Sequence, residues 1–588
     1  MDTAERTADI FEEIQGYPKP PLPILPEPDD FSSLEELGSV SQGFPRLLLR
    51  CTASVTGLRR FQRNLPPNLE GLMRRCDRRG SYLFAPVVSA TMALEDDPRR
   101  LSWEDRAATL LFGAKEFHDD IRSGTLPPDM HRGQVLEMGQ YPNLFSTCLI
   151  VDGNRSRIFK SRNTAHIVVA AARRLYLLDV GRIGAETTLE QLRDSLARVA
   201  EEASRNRPGN EEALPGLLTC ATHGFQLKAF RRLQRISPNR ESLVALRHSF
   251  LTICLDRESA PASDADAAFL AHSGNCANRW YHAGLQIVVF GNAKACVICN
   301  FSTYIDGNTM VRAAAELQRR ALHYTVRGGT GGQTSGLRPS QELRWSISRS
   351  LQERARRDLR LVLDNQQATF ELATIGRRFL SLLGSDPLAL FVVALQIATK
   401  RLTGTVPAIS QFLTISKYCC GDLTTANATT PEVMRFVEYA EGGAPDSQHA
   451  RTLLKEAVDS HKRSCQRARS SLSLMHVFGL YIHSVSGLRR FWAGGMMRLV
   501  CGVLRLLGKI HGEREIVVSH PKIWPEVPVI GRPGIRLPYV TYYALHYQIM
   551  EEKTVVTLMP SLHWNVPNAE LIDEVRDAVH RIHAAVGD

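Results

Sequence analysis

The side chains of this sequence that could do chemistry near neutral pH include one closely spaced pair of cysteines. Cys296 and Cys299 form a C-x-x-C pair, a spacing found in zinc sites. No second pair follows at zinc-site spacing, and the strand-like run from Leu285 to Cys299 would point residues three apart to opposite faces. We therefore predict no metal site, and we interpret the 12 irregularly spaced cysteines as reduced thiols.

Histidines are the other candidates, because an imidazole can move a proton near neutral pH. Three of them, His282, His520 and His563, lie in segments of interest, and each has the alternative interpretation of a packed or surface histidine. The sequence has no Ser-His-Asp or Cys-His order with a nucleophile elbow, and we interpret Cys419-Cys420 as ordinary packing. Motifs alone therefore select no catalytic base.

Helix and strand signals alternate around these groups. Ser102 and Asp105 form a capping pair before a helical repeat that continues to Ile121. A helix from Val311 to Leu322 is predicted soon after the run that ends at Cys299. Further predicted strands are Leu144 to Val151, Ala165 to Ala171 and Leu175 to Val180 with a turn at Arg173 and Arg174, and further predicted helices are Leu189 to Ala203 and Glu241 to Leu255. The mixture predicts an α/β fold.

A glycine-rich stretch from Gly328 to Gly336 divides the sequence. No Gly-Lys-Ser/Thr follows it, so we interpret it as a linker and not as a phosphate-binding loop. Beyond it we predict helices at Pro339 to Leu361, Leu388 to Leu402 and Ala450 to Arg469, a β-rich tail from Ile516 to Leu558 and a closing helix from Ala569 to Val586. The proline-rich start of the chain predicts an extended arm over residues 1–28.

Charge and hydropathy exclude several classes of protein. The net charge is +11, but the arginines are spread along the whole chain, so we predict no nucleic-acid partner. The longest strongly apolar run, Leu388 to Ala398, is too short to span a bilayer, and we predict no membrane span. The acidic start of the sequence lacks an apolar run, so we expect a cytoplasmic protein.

Several segments, in a fixed order, resemble the choline/carnitine acyltransferase family. The most specific is Asn278 to Tyr281 followed by Leu285-Gln286, which is similar to the family's N-R-W-F-D-K-x-L-Q, and Gln140 to Phe145 resembles its Q-Y-x-x-L-F block. The resemblance implies two halves like chloramphenicol acetyltransferase, each a mixed sheet covered by helices, with a tunnel at their interface. It places one half at 96–338 and the other at 29–95 plus 339–588.

The catalytic pattern of that family is altered here. Family members place a histidine in a sequence like C-E-H-S-x-x-D-G, where it removes the proton of the hydroxyl acceptor. Here the segment from Cys299 to Gly307 is one residue longer, so Phe301 or Ser302 takes the position of the histidine. Neither side chain is a useful base near neutral pH, so the family's route should fail. Asp306 and Gly307 are expected to remain as a structural turn.

Other functional segments of the family are altered too. Ser519-His520-Pro521 stands where members carry S-T-S, and the run from Thr414 to Thr424 replaces the carnitine-binding sequence. Ahead of the family's S-P-D-A helix, only Arg377 and Arg378 remain of the basic residues that meet coenzyme A. From the resemblance we expect replacement catalytic groups among His520, Ser302 and His282, and substrate contacts from Phe301, Tyr304, Ser519, Thr414, Ser416 and Tyr418.

Three functions are open at this point. The first is an enzyme with a rebuilt tunnel that acts on an acyl or polyketide-like small molecule by cyclisation, condensation or acyl transfer in biosynthesis. The second is an acyltransferase with a relocated base, His520 or His282. The third is a non-catalytic binding or scaffolding protein. No cofactor is required in any of them, and coenzyme A or an acyl carrier protein would supply a thioester substrate.

Overall fold

The computed structural model describes residues 17–26, 43–65, 69–77, 89–152, 155–162, 164–207, 209, 214–221, 223–325, 337, 339–363, 368–382, 386–421, 423–442, 447–472, 474–485, 487–506, 515–520, 529–531, 541–561 and 564–586. Its helices are α1 Gly43–Val55, α2 Leu58–Asn64, α3 Leu69–Asp77, α4 Trp103–Ser123, α5 Leu189–Arg205, α6 Pro215–Leu218, α7 His223–Leu233, α8 Ser237–Arg247, α9 Asp264–Phe269, α10 Gly307–Ala321, α11 Arg349–Leu363, α12 Arg377–Ser381, α13 Pro387–Thr403, α14 Pro431–Glu441, α15 Ser447–Ser470, α16 Leu474–Ser484, α17 Gly487–Leu506 and α18 Asn568–Val586. Its strands are β1 Ser89–Ala93, β2 Met130–His131, β3 Gln134–Val135, β4 Thr147–Asp152, β5 Arg155–Lys160, β6 His166–Ala171, β7 Arg174–Asp179, β8 Thr252–Asp256, β9 Leu285–Phe290, β10 Ala295–Asn300, β11 Gln341–Glu342, β12 Ala368–Ala373, β13 Ala408–Thr414, β14 Leu423–Asn427, β15 Glu515–Ser519, β16 Val529–Gly531, β17 Thr541–Ile549 and β18 Lys553–Pro560.

The first compact unit comprises Met1–Lys19, Asp77–Asp364 and Pro521–Ile535. It is built on a mixed sheet with strand order β11-β7-β6-β8-β9-β10-β1-β16. Strands β8, β9 and β10 are buried throughout, because apolar side chains pack against both of their faces. Cys296 and Cys299 lie in different core clusters, so the prediction that they point to opposite faces of their strand is confirmed.

The second compact unit comprises Pro20–Cys76, Asn365–His520 and Arg536–Asp588. Its mixed sheet has strand order β12-β18-β17-β15-β13-β14. Alternate residues of β15 and β17 pack with α13, α14, α15 and α18 in one core, as the two-residue period of a strand requires. The fold class predicted from the sequence, two mixed sheets covered by helices, is therefore observed.

The division between the units differs from the predicted boundaries. β1 pairs with β10, so residues 89–93 belong to the first sheet and not to the second half. Likewise β11 pairs with β7 in the first sheet, and the first unit extends to Asp364. Both segments are assigned to the first unit because they pair with strands that are distant in sequence, and local sequence patterns do not predict such pairing.

Most predicted elements are present, with shifted ends. Ser102 caps α4 by accepting a hydrogen bond from the Asp105 backbone N–H at 3.2 Å, as predicted. The predicted helix over 241–255 is wrong in its second part, because residues 252–256 form β8 at the centre of the sheet. The glycine-rich stretch 328–336 lies outside the described residues, whereas residues 17–26 of the arm have no regular secondary structure. Within the described part of the chain, every helix is too short or too polar to cross a bilayer.

Candidate active site

The Asn-Arg-Trp-Tyr segment supports the first unit from inside its core. Arg279 is fully buried and donates from Nη2 to Asp256 Oδ2 at 2.6 Å, while Asn278 Nδ2 donates to Asp256 Oδ1 at 2.7 Å. Burial alone would lower the pKa of Arg279, but the charge and hydrogen bonds of Asp256, together with the neighbouring Cys254 and Tyr281, raise the pKa above its usual value. The motif is therefore a structural ion pair that holds the loop before β9.

The same segment anchors the chain where β10 ends. Asn300 Nδ2 donates to the Tyr281 carbonyl at 2.9 Å, and Asn300 Oδ1 accepts from the Ser302 backbone N–H at 2.8 Å. Residues 301–303 form one 3₁₀ turn, and Tyr304 then adopts a left-handed conformation with φ of 59°. A non-glycine residue is rarely found there, so the chain makes a tight turn with a reversal at Tyr304 before α10 begins.

Asp306 and Gly307, which the sequence analysis expected to form a structural turn, begin α10. Asp306 caps α10 through a hydrogen bond from the Thr309 backbone N–H to Oδ1 at 2.9 Å, and Gly307 is the first residue of that helix. The Asp306 N–H donates to Gln140 Oε1 at 2.6 Å. Burial raises the pKa of the Asp306 carboxyl to about 6, and hydrogen bonds from the helix N-terminus oppose that rise.

The predicted groups at this turn offer no base. Ser302 is 1% exposed, and its Oγ has no hydrogen-bond partner among the described residues. Phe301 is partly buried and packs against the apolar core, while Tyr304 is buried. A lone hydroxyl without an adjacent base is neither a useful proton acceptor nor an activated nucleophile, so the described contacts of Ser302 give it no catalytic role.

His282 lies in the interior of the first unit. Its Nε2 is 3.0 Å from Gln226 Oε1, and its ring lies against Phe230 and Trp280 with centroids 4.8 and 5.6 Å away. Only 2% of the residue is exposed. The structure thus places this candidate as a packed histidine whose ring nitrogen already has a partner.

A second imidazole, which the sequence analysis did not select, lies in the second unit. β15 and β17 run parallel, and their register sets Ser519 beside His546. The Ser519 hydroxyl and His546 Nδ1 form a short hydrogen bond. Val518 and Leu545 pack into the helical core, so by strand alternation Ser519 and His546 lie on the opposite face of the sheet.

The surroundings of this pair keep the imidazole neutral. Both residues are partly buried, and burial lowers the pKa of His546 to about 4. The same register places Phe412 of β13 beside Ser519 and Thr557 of β18 beside His546, which gives one row of side chains across this face of the sheet. Thr557 Oγ1 is in turn 3.1 Å from Thr369 Oγ1 on β12. The row thus presents one hydrogen-bonded imidazole among hydroxyls and one phenyl ring.

His520, the first candidate from the sequence, lies elsewhere. Its ring meets Tyr547 at a centroid distance of 5.1 Å, and Tyr547 stacks on Phe391 in the helical core. Burial lowers the pKa of His520 to about 4, and its Nε2 has no hydrogen-bond partner within the described residues. Although adjacent in sequence, Ser519 and His520 therefore serve different faces of the sheet.

The other predicted contacts are distributed over the second unit. Thr414 ends β13, Ser416 is buried in the turn that follows, and the Tyr418 hydroxyl donates to the Ser470 carbonyl at 2.8 Å. Arg377 and Arg378 are exposed at the start of α12, and Arg378 Nη1 is 3.5 Å from Glu552 Oε1. The two arginines can bind an anion, but Arg378 is already paired with the Glu552 carboxylate.

Metal chemistry receives no support from the described residues. No group of three or more histidine, cysteine, aspartate or glutamate side chains is arranged there to hold an ion. Burial raises the pKa of the Cys254 thiol to about 12, and those of Cys296 and Cys299 are raised still further by the same cause. These thiols are neutral at pH 7. His563 and Pro521 lie outside the described residues.

The fold and these segments define an α/β protein of the acyltransferase type. A family model described as choline/carnitine O-acyltransferase matches residues 79–491, which is more than half of the chain. The chain therefore belongs to the choline/carnitine acyltransferase family.

Individual relatives are distant. The chain is 27% identical to choline O-acetyltransferase of Sus scrofa over 428 residues, covering 68% of this chain and 64% of that protein. It is 25% identical to carnitine O-acetyltransferase of Mus musculus over 404 residues, covering 65% and 63%. The matched region thus spans less than two thirds of each relative's length. A solved structure, the TRI3 trichothecene 15-O-acetyltransferase from Fusarium sporotrichioides, matches with a TM-score of 0.39, 11% identity and coverage of 87% and 92%.

Proposed function

We propose that this chain is an acyl-transferring enzyme with a rebuilt site, which takes an acyl or polyketide-like group from a thioester in small-molecule biosynthesis. Family membership supports the reaction class, because it implies the scaffold on which thioesters are handled. The single observation that carries the proposal is the hydrogen bond between Ser519 and His546, since it supplies an oriented imidazole where the turn at 301–304 has none.

In this proposal His546 is the relocated base. The proposal requires the tautomer in which His546 Nδ1–H donates to the Ser519 hydroxyl oxygen, which fixes the ring and leaves Nε2 unprotonated and able to accept a proton. The acceptor hydroxyl gives its proton to Nε2 and its oxygen attacks the thioester carbonyl carbon. When the C–S bond breaks, the departing thiolate takes that proton from the imidazolium. A bond from oxygen to carbon replaces one from sulfur to carbon, and the base is regenerated.

The low pKa of His546 has two consequences. The imidazole is almost entirely neutral at pH 7 and is ready to accept a proton. The same burial penalises the imidazolium that forms during transfer, so we expect slow turnover compared with an ordinary histidine base. Coenzyme A or a carrier-protein thioester is the proposed donor, with Arg377 and Arg378 as the contacts for its phosphates.

The experiment is thiol release from a panel of acyl-coenzyme A and acyl-pantetheine thioesters by the purified full chain, with polyol and amine acceptors. We expect His546→Gln to lower release by about a hundred-fold or more. His461→Gln is the matched control, because His461 is also a buried histidine of the second unit but bonds Gln411 on the helical side. His520→Gln and His282→Gln test the two candidates from the sequence.

A second candidate function is non-catalytic binding of an acyl-type ligand. The observation that favours it is the turn at 301–304, where the Phe301 ring and the Ser302 hydroxyl, which has no hydrogen-bond partner among the described residues, lie in the segment that resembles the one carrying the family's base. Native mass spectrometry distinguishes the two: retention of a small molecule without thioester turnover in wild type favours binding, and release of free thiol that depends on His546 favours the enzyme.

A further inference from the structure

Three helices of the second unit, α1, α2 and α17, carry charge of one sign only, and a fourth, α16, has no Asp, Glu, Lys or Arg. In α1, α2, α16 and α17 the sequence has nine arginines and no aspartate, glutamate or lysine; the arginines are Arg46, Arg50, Arg59, Arg60, Arg63, Arg489, Arg490, Arg498 and Arg505. The whole chain has a net charge of +11, so these helices concentrate cationic charge that the overall composition does not reveal. The concentration comes from two segments more than 400 residues apart.

The four helices pack together. α1 lies against both α2 and α17, and α16 lies against α2 and α17. The Tyr481 hydroxyl of α16 donates to the Thr56 carbonyl after α1, and the Tyr481 ring meets Phe61 of α2 at 5.1 Å. These contacts bring the two cationic segments into one group, which we call the arginine helices.

Large apolar side chains project from the arginine helices. On α17, Leu488 is 90% exposed, Phe491 86% and Leu499 62%. Their spacing of three, eight and eleven residues places them on one side of the helix, while Ala493 and Val500 are buried on another. Trp492 is 45% exposed beside the apolar row. A single exposed leucine is ordinary, but an exposed row of this kind on one helix marks an interaction surface.

We propose that the arginine helices bind an anionic membrane surface, with α17 lying in the plane of the interface. On α17 the exposed Arg489 lies between Leu488 and Phe491, and such a combination of cationic and apolar side chains is the one by which interfacial helices bury apolar groups below lipid headgroups. Charge complementarity selects anionic lipid, because each arginine near such a surface adds favourable attraction.

The test is co-sedimentation of the full chain with vesicles of phosphatidylcholine alone and with about 30% phosphatidylserine. We expect binding to the anionic vesicles that falls at least about ten-fold when salt rises from about 0.1 M to about 0.5 M. Arg489→Glu should weaken binding at least about five-fold, and Leu488→Ser with Phe491→Ser at least about ten-fold. Tryptophan emission should shift to the blue as Trp492 enters the lipid.

Matched controls distinguish binding through this surface from nonspecific adsorption to vesicles. Leu382→Ser changes an apolar residue that is 73% exposed outside the four helices, and Arg182→Ala removes an exposed arginine of the first unit. Both should bind like wild type. Equal binding to neutral and anionic vesicles, or equal loss in the controls, would overturn the proposal. The proposal would also be overturned if the chain did not bind vesicles but bound single-stranded RNA or an acidic carrier protein, because the surface would then serve another partner.

Discussion

The relocated-base proposal makes a definite prediction about pH. Burial holds the pKa of His546 at about 4, so its neutral fraction changes by only about 3% between pH 5.5 and pH 7.5. A base with the ordinary histidine pKa of about 6.5 would lose about ten-fold in neutral fraction over the same interval. We therefore expect thioester turnover that is nearly flat from pH 7.5 to pH 5.5 and that falls only as the pH approaches about 4.

The assay follows free thiol with a dithiodipyridine reagent, which reports at both pH values. Circular dichroism at each pH shows whether the fold is retained, so that a fall in rate is not mistaken for unfolding. His546→Gln provides the baseline. His461→Gln must show the same pH profile as wild type, because that ring lies on the helical side of the sheet.

The pH profile can also refute the assignment of His546 as the base. A ten-fold fall in rate between pH 7.5 and pH 5.5, with the fold intact, would show that a group with an ordinary histidine pKa removes the proton. His546 would then not be the base, even if its substitution lowered activity. A flat profile that persists in His546→Gln would equally refute the reasoning, since release would then not need this imidazole.

Three further predictions concern stability and are measured by urea unfolding. Asp256→Asn leaves the Arg279 guanidinium buried without its counter-charge, so we expect a loss of about 3 to 5 kcal/mol; a loss below about 1 kcal/mol would contradict the structural role of the pair. Tyr304 has a left-handed φ of 59°, and Tyr304→Gly should remove a backbone cost of about 1 kcal/mol, which offsets part of the packing lost with the side chain. Tyr304→Ala loses the same packing but keeps the strain, so we expect it to be less stable than Tyr304→Gly. Burial lowers the pKa of His461 to about 4, so the folded state binds fewer protons than the unfolded one and stability should fall as pH drops from about 6.5 towards 4; His461→Gln should lose less stability between pH 7 and pH 5 than wild type.

Local patterns predicted the secondary structure well where periodicity is strong. The helix after Ser102 and the strand hairpin around residues 166–179 follow from capping and alternation alone, and the turn lies at Ala172 and Arg173, one residue earlier than predicted. The patterns failed at β8, where apolar residues after α8 read as a continued helix, because only pairing with β6 and β9 makes that segment a strand.

The candidate site shows the same division between local and distant information. The resemblance predicts from the residues between Cys299 and Gly307 that the family's histidine is replaced, whereas the cap that Asp306 forms on α10 was not predicted, because the helix was expected to start only at Val311. His546 could not be found this way, because no motif surrounds it and its partner lies 27 residues earlier on a neighbouring strand. The available signal was weak: an imidazole within an alternating β-rich run, which is more often packing than chemistry.

Parallel strands explain how an imidazole can gain a partner without a local motif. In a parallel pair the register sets side chains of two strands side by side on one face, so Ser519 of β15 and His546 of β17 form a bonded pair although no sequence motif links them. The core-facing residues of both strands, such as Val518 and Leu545, are not part of this pairing. The 301–304 turn, in contrast, is a local feature in which Tyr304 adopts the left-handed conformation with φ of 59°. An imidazole introduced there by Ser302→His would lie at a position that is only 1% exposed, so we expect it to add no thioester turnover.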